Sequence, residues 1–134
     1  MESIFKVWGT RRRILLTDKC EIDLLDLKSN SFCSTHSHKN KINLFTVISG
    51  KVRIETEYGK IILRKNESFA VLPSLKHRFV SLTKSVMIEC AYVNEGKIDP
   101  DDIVREKLGG LIIKNKEYSI PELRKNGYME LNNE

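Results

Sequence analysis

The chain has 134 residues, 40% hydrophobic and 31% charged, with a formal net charge of +5. That length makes one domain able to bury about two-thirds of its unfolded surface without staples. No run approaches the roughly 18 apolar residues of a membrane span, and no charged-then-apolar leader opens the chain, so a soluble cytoplasmic protein is expected. Cys20, Cys33 and Cys90 form an odd, scattered set without a CxxC, which reads as reduced packing cysteine. Positive charge raises anionic partners. Arg11-Arg12-Arg13 is the only basic run, however, and no helix-turn-helix, aromatic RNA-binding or zinc-finger spacing accompanies it, so nucleic acid is not an expected partner.

In chain order, Ile4 to Trp8 is a short β-prone segment closed by Gly9. Arg13 to Thr17 and Cys20 to Leu27 flank an Asp18-Lys19 turn, and the second alternates as a strand with one buried face. Lys28-Ser29-Asn30-Ser31 is turn chemistry. Phe32 to His36 then leads into a strand; with His36 inward, period two puts Phe32 and Ser34 on its face and turns Cys33 away. Ile42 to Ser49 turns at Gly50 into Val52 to Tyr58, and Tyr58-Gly59-Lys60 turns again into Ile61 to Leu63. Ser68 to Leu72 is stopped by Pro73, as proline stops strands. His77 to Leu82 and Val86 to Val93 form the last strong pair. Short strands with turns every eight to twelve residues predict an antiparallel barrel or sandwich. Beyond Val93, the stretch Pro100 to Leu108 has acids first, a base late and Gly109-Gly110 as a stop, which predicts a short helix. Leu111 to Lys114 predicts an added strand, and Ser119-Ile120-Pro121-Glu122 has the spacing that opens a final helical turn. Glu130 to Glu134 is expected to be loose. The whole reads as one domain over 1–134, with a core at about 20–95 and a C-terminal extension at about 96–134.

The chain has three histidines, and all sit at strand starts: His36 and His38, one residue apart, and His77. Residues i and i+2 of a strand share a face, so His36 and His38 can aim at one atom. Neutral imidazole is the commonest ligand for transition metals, and three leave positions open for water or substrate. One divalent ion (Zn, Mn, Fe or Ni) on His36, His38 and His77 is the expected cofactor. Lys39, Lys41, Lys76 and Arg78 neighbour these ligands in sequence and suit a phosphate.

His36-x-His38-x4-Asn43-x6-Gly50 resembles the first cupin motif, H-x-H-x(3,4)-E-x6-G, with Asn43 in place of its glutamate. Leu72-Pro73-Ser74-Leu75-Lys76-His77-Arg78-Phe79 resembles the second, P-P-G-x-P-H-R-F, with Ser74 in place of glycine. The resemblance implies an all-β fold, the double-stranded β-helix or jelly-roll barrel, with short C-terminal helical segments. Within the superfamily the chain is similar to the C-terminal barrel of bifunctional mannose-6-phosphate isomerases. Val7-Trp8-Gly9 resembles P-W-G, Asn66-Glu67-Ser68 resembles N-x-S, Lys76-His77-Arg78 resembles K-H-R, Ile88-Glu89-Cys90 resembles I-E-V, and Asp101-Asp102-Ile103-Val104-Arg105 reproduces D-D-I-V-R. That family's H-R-S-E-H-W is here Asn40-Lys41-Ile42-Asn43-Leu44-Phe45, so its ligand set is altered. His36-Ser37-His38-Lys39-x3-Asn43 also resembles the H-A-H-K-x3-Q of sugar-nucleotide 3,4-ketoisomerases, which use histidine as acid and base without metal.

These likenesses imply a phosphorylated or nucleotide-linked sugar as the small-molecule substrate. Glu89 and Lys76 are the candidate catalytic residues, and Asn43, Lys39, Lys41 and Arg78 the candidate substrate-binding ones. Trp8 and Tyr92 are candidates for lining a sugar site. Isomerisation on a metal is the leading reading, with the metal-free ketoisomerase, a non-catalytic binding cupin and a three-histidine iron dioxygenase as alternatives. A homodimer is expected, because exposed sheet edges invite association, with Ile4 to Trp8 or Leu111 to Lys114 as exchangeable strands.

Overall fold

The computed structural model describes residues 3–129. In chain order the strands are β1 (Ser3–Lys6), β2 (Gly9–Leu16), β3 (Cys20–Leu27), β4 (Ser31–Phe32), β5 (Thr35–Ser37), β6 (Ile42–Ser49) and β7 (Val52–Thr56). They continue as β8 (Gly59–Leu63), β9 (Ser68–Val71), β10 (His77–Ser81), β11 (Ser85–Tyr92), β12 (Val104–Lys107), β13 (Gly110–Ile113) and β14 (Lys116–Ser119), followed by the helix α1 (Ile120–Lys125).

Period-two alternation sends one face of each strand inward and closes two antiparallel sheets over a common interior. One sheet has the order β1-β2-β3-β11-β6-β9. In the other, β10 is the hub: β5 and β4 pair with one side of it and β7 with the opposite side, and β12, β13, β14 and β8 extend the array. No helix among the described residues is long and apolar enough to cross a membrane.

The inward face changes chemistry along its length. Toward one end Leu25, Leu27, Phe45, Val47, Met87, Ile54 and Phe79 interlock as a core in which all but Phe79 are at most 2% exposed. Burying each such side chain contributes roughly 1.5–3 kcal/mol. Toward the other end β3, β6 and β10 present Glu21, Asp23, Asn43 and His77 inward, and β5 adds His36. The apolar half holds the sheets together, and the polar half forms a cavity of about 610 Å³.

Gly50 sits in the turn between β6 and β7 at φ +86°, and a Cβ there would lie 2.2 Å from the Ser85 hydroxyl. Gly9 is as constrained, since a Cβ would lie 1.9 Å from the Asp26 carbonyl oxygen. Glycine is required at both.

Three sequence expectations are corrected. Pro100 to Leu108 is not a helix: after a turn at Asp99–Ile103, β12 pairs with β5, because the open edge of β5 offers ladder partners that a single free helical turn lacks. β14 was not foreseen; it follows β13 through Lys114 (φ 51°) and Asn115 (φ 65°), a left-handed pair that makes a tight hairpin without glycine. Cys33 faces the core and Phe32 lies on the opposite face under Arg78, because two residues that belong to neither strand separate β4 from β5 and period two does not carry across them. The final helix forms where expected, with Glu122 accepting from the Ser119 N–H at 3.1 Å. The expectation for Glu130 to Glu134 lies outside the described residues.

Ser74 occupies the motif's glycine position in the left-handed region, φ 69°, while its N–H donates to the His38 carbonyl at 2.6 Å. A Cβ in that conformation costs about 1–2 kcal/mol, against about 0.5–1 kcal/mol of extra chain entropy lost by glycine. Ser74→Gly is therefore expected to stabilise by roughly 0.5–1 kcal/mol, measured as a higher urea midpoint at unchanged slope. A lower midpoint would show that the serine side chain contributes more than the strain it causes.

Candidate metal centre

The register of β5 against β10 puts His36 directly opposite His77, and His38 follows on the same face just past β5. The rings gather at centroid distances of 4.6 Å (His36–His77), 5.0 Å (His36–His38) and 5.3 Å (His38–His77). All three are buried.

Each ring is held by its Nδ1. That of His36 lies 2.8 Å from the Ser34 carbonyl and 2.9 Å from its hydroxyl. His38 Nδ1 lies 2.7 Å from the Asp102 carbonyl, and His77 Nδ1 lies 2.9 Å from the Leu75 carbonyl. A carbonyl accepts only, so each Nδ1 carries the proton and each Nε2 presents a lone pair. Burial, with the other two imidazoles, lowers His36 to about 3; burial lowers His77 to about 4 and lowers His38 as well. The set is therefore neutral at pH 7.

One ring nitrogen from each histidine lies within 4.8 Å of the others, close enough for small ring rotations to bring all three onto one ion. His77 Nε2 is buried with no hydrogen-bond partner, a costly state that a metal would relieve. These three residues could hold a metal ion, and the neutral all-nitrogen donor set suits zinc, iron or nickel. Their carbonyl partners are the kind that orient metal-binding histidines. Asn43 Nδ2 donates to His38 Nε2 and to Glu89 Oε2, both at 3.0 Å, and Asn43 Oδ1 is buried without a partner. An ion on His38 displaces the first of these bonds, and a half-turn of the amide would put the unpartnered oxygen in its place.

Beside the histidines stands a wall of charge from the facing sheet. Glu21 Oε1 accepts from Lys41 at 2.7 Å, and Arg13 bridges Glu21 and Asp23 at 3.0 Å each. Glu89 lines the cavity on β11, opposite Asp23 in the ladder. Burial first, then repulsion from Asp23 and Glu21, raises its carboxyl to about 7 against the pull of Arg11 and Lys41.

The expected site residues are thus divided. His36, His38, Asn43, Lys41 and Glu89 line the cavity, whereas His77 is not among the lining residues and lies buried with its ring 4.6 Å from that of His36. Lys41 is not a free cation at a mouth, since it is 4% exposed and paired with Glu21. Lys76 lies on the surface 2.7 Å from Glu106. Arg78, next in the strand to inward His77, points out and binds Glu55 and Glu117. Lys39 is exposed, and its backbone N–H donates to Asp102 at 2.7 Å. Trp8 lines the cavity, packed edge-on against Phe79 at 5.2 Å; Tyr92 does not line it.

Sequence reasoning missed Arg11, Arg13, Glu21, Asp23 and Arg105 as cavity residues. A signal existed for the acids. Glu21 and Asp23 share strand parity with Leu25 and Leu27, so an inward leucine face carries them inward too. Asp102 was also missed: its carboxylate accepts from the Lys39 and Asn40 N–H groups while its carbonyl holds His38.

A two-sheet antiparallel barrel with three imidazoles converging at one end defines a cupin. The family model described as "Mannose-6-phosphate isomerase C-terminal" matches residues 1–107, and the chain belongs to that family. No curated protein sequence matches the chain. Among solved structures, KdgF from Halomonas sp. is similar with a TM-score of 0.65 at 16% identity, over 71% of this chain and 88% of that one. An RmlC-like cupin from Shewanella frigidimarina gives 0.63 at 16% identity, over 70% and 85% of the two chains. Streptomyces PAC13 with uridine gives 0.67 at 8% identity, over 80% and 85%. At such identities the likeness shows the fold.

A carboxyl raised from its ordinary 4.5 to about 7 binds protons more tightly in the folded state. Its ionisation therefore costs stability that begins to appear above pH 4.5 and is complete above pH 7, on the order of 3 kcal/mol at most. Glu89→Gln stays neutral throughout. In metal-free protein it is expected to melt several degrees above the native chain at pH 8 and level with it at about pH 4. A melting difference that ignores pH would show that Glu89 titrates normally.

Proposed function

We propose that the chain binds one divalent metal ion through His36, His38 and His77 and catalyses proton-transfer isomerisation of an anionic sugar, phosphorylated or nucleotide-linked. The observation that supports this most is the convergence of three neutral imidazoles, each with Nδ1 bonded to a carbonyl, around the partnerless Nε2 of His77. A bound divalent ion would polarise a sugar carbonyl.

The remaining roles belong to the chain. Glu89 is assigned to proton transfer, because it lines the same cavity and its carboxyl is raised to about 7, near the optimum for a group that must both take and give a proton. Asn43 positions it through the hydrogen bond to its carboxyl at 3.0 Å, which does not depend on the bond to His38 that the ion replaces. Lys76, Lys39 and Arg78 take no part in this reading, since their side chains lie outside the cavity wall. The cavity of about 610 Å³ is in the range that encloses a sugar phosphate.

Metal analysis of protein purified without added metal, followed by proton exchange from solvent into sugar phosphates and nucleotide sugars, tests the proposal. One ion per chain is expected, with occupancy lost in His77→Ala. Activity should vanish on chelation, return with zinc, iron or nickel, and fall at least about 100-fold in Glu89→Gln. Activity indifferent to chelator but lost in His36→Ala or His38→Ala would replace this with the metal-free ketoisomerase. Substrate-dependent oxygen uptake by the iron form would replace it with a dioxygenase. Ligand-induced rises in melting temperature without turnover would leave a binding module.

We further propose a homodimer formed along β1. That strand is an edge of its sheet and carries exposed Ile4 and Phe5, the latter 77% exposed, whereas β13 is paired on both sides. Light scattering at tens of micromolar, roughly where specific interfaces persist, should give twice the chain mass, and Phe5→Lys should shift it to the monomer. A native monomer there would refute the dimer.

A further inference from the structure

Five basic and three acidic side chains line the cavity: Lys6, Arg11, Arg13, Lys41 and Arg105 against Glu21, Asp23 and Glu89. The pairings do not consume all of the positive charge. Arg13 and Lys41 are taken up by Glu21 and Asp23. Among the described residues neither Arg11 nor Arg105 has a carboxylate within 4 Å. The two come from facing sheets. Arg11 is half-buried on β2, two residues before inward Arg13, while Arg105 lies on β12 as the ladder partner of His36.

We propose that Arg11 and Arg105 clamp the phosphoryl group of the substrate across the cavity, holding the sugar end against the three histidines. This rests on the anionic-sugar reading of the site and supplies the anion subsite for which the sequence offered Lys39, Lys41, Lys76 and Arg78. A guanidinium presents a rigid fork of donors that matches phosphate oxygens, and two unpaired forks meet the roughly two negative charges of a phosphate monoester near pH 7. A single carboxylate would leave one fork uncompensated. The placement also fixes direction: Arg105 adjoins His36 through the β5–β12 ladder, and Arg11 acts electrostatically on Glu89, so an anion between them lies beside both the proposed metal site and the proposed proton carrier.

Isothermal titration of the purified chain with mannose 6-phosphate, inorganic phosphate and mannose tests the clamp, using Arg11→Gln, Arg105→Gln, Arg105→Lys and Arg12→Gln. Arg12 is exposed on β2 beside Arg11 and does not line the cavity. Both phosphates are expected to bind at least about tenfold more weakly in Arg11→Gln and Arg105→Gln. Arg105→Lys should lie between these and the native chain, Arg12→Gln should match it, and metal content should be unchanged in all four. Arg105 is exposed, so its substitution decides the matter even if Arg11→Gln fails to fold. Unchanged phosphate affinity in the folded cavity variants, or no phosphate binding by the native chain at millimolar concentration, would overturn the clamp even if isomerisation were observed. Arginine-dependent phosphate binding without isomerisation would keep the clamp and remove the isomerase reading.

Discussion

The ladder register that sets His36 opposite His77 is the constraint on which the site depends. A side chain in a strand changes face with every residue, so a slip of one position in β10 would turn His77 outward and bring Arg78 inward. The apolar half of the barrel prevents that slip. Phe79, two residues along β10, packs in the core with Trp8 and Phe45, and it pairs with Ile54 across β7. Slippage would expose Phe79 and the facing core residues together, a loss of several kcal/mol at roughly 1.5–3 kcal/mol for each. The hydrophobic half therefore sets the chemistry of the polar half through shared strands.

The polar half needs stabilisation of its own. Glu21, Asp23 and Lys41 are each at most 5% exposed, and isolated charges at that depth would be far too costly. They are tolerated as an alternating set in which each charge has an opposite neighbour at 3.0 Å or less. This ordering leaves little freedom for the set to rearrange, and it holds the carboxylates near Glu89. Their repulsion adds to burial in keeping that carboxyl protonated near neutrality.

How far the sequence revealed all this depends on where each residue sits. Strands such as Ile42–Ser49 and His77–Ser81 were legible because alternation and flanking turns act locally, and the three histidines were legible because motif spacing translates into facing. Lys39, Lys76 and Arg78 lie outside the cavity lining for a reason that sequence adjacency hides: the neighbour of an inward ligand takes the opposite face in a strand, and a loop has no fixed face at all. β12 was hidden because the stretch from Pro100 to Leu108 looks helical in isolation, while its actual partner, β5, lies some seventy residues earlier. Arg11 and Arg105 could not be joined from sequence, since only the closure of two sheets brings them to one cavity.

Asn43, where related motifs carry glutamate, follows from the same wall. Its amide lies 3.0 Å from Glu89, which itself stands opposite Asp23 and near Glu21. A carboxylate at that position would be a fourth acid in a buried cluster, and two carboxylates that close cannot both ionise readily. The amide keeps the hydrogen bond without the charge. It can donate to Glu89 when that residue is ionised, and it offers an oxygen that has no other partner when Glu89 carries a proton. The departure from the motif is thus the counterpart of an inward glutamate on the neighbouring strand, and the two residues form one hydrogen-bonded unit in which the amide serves Glu89 in either protonation state.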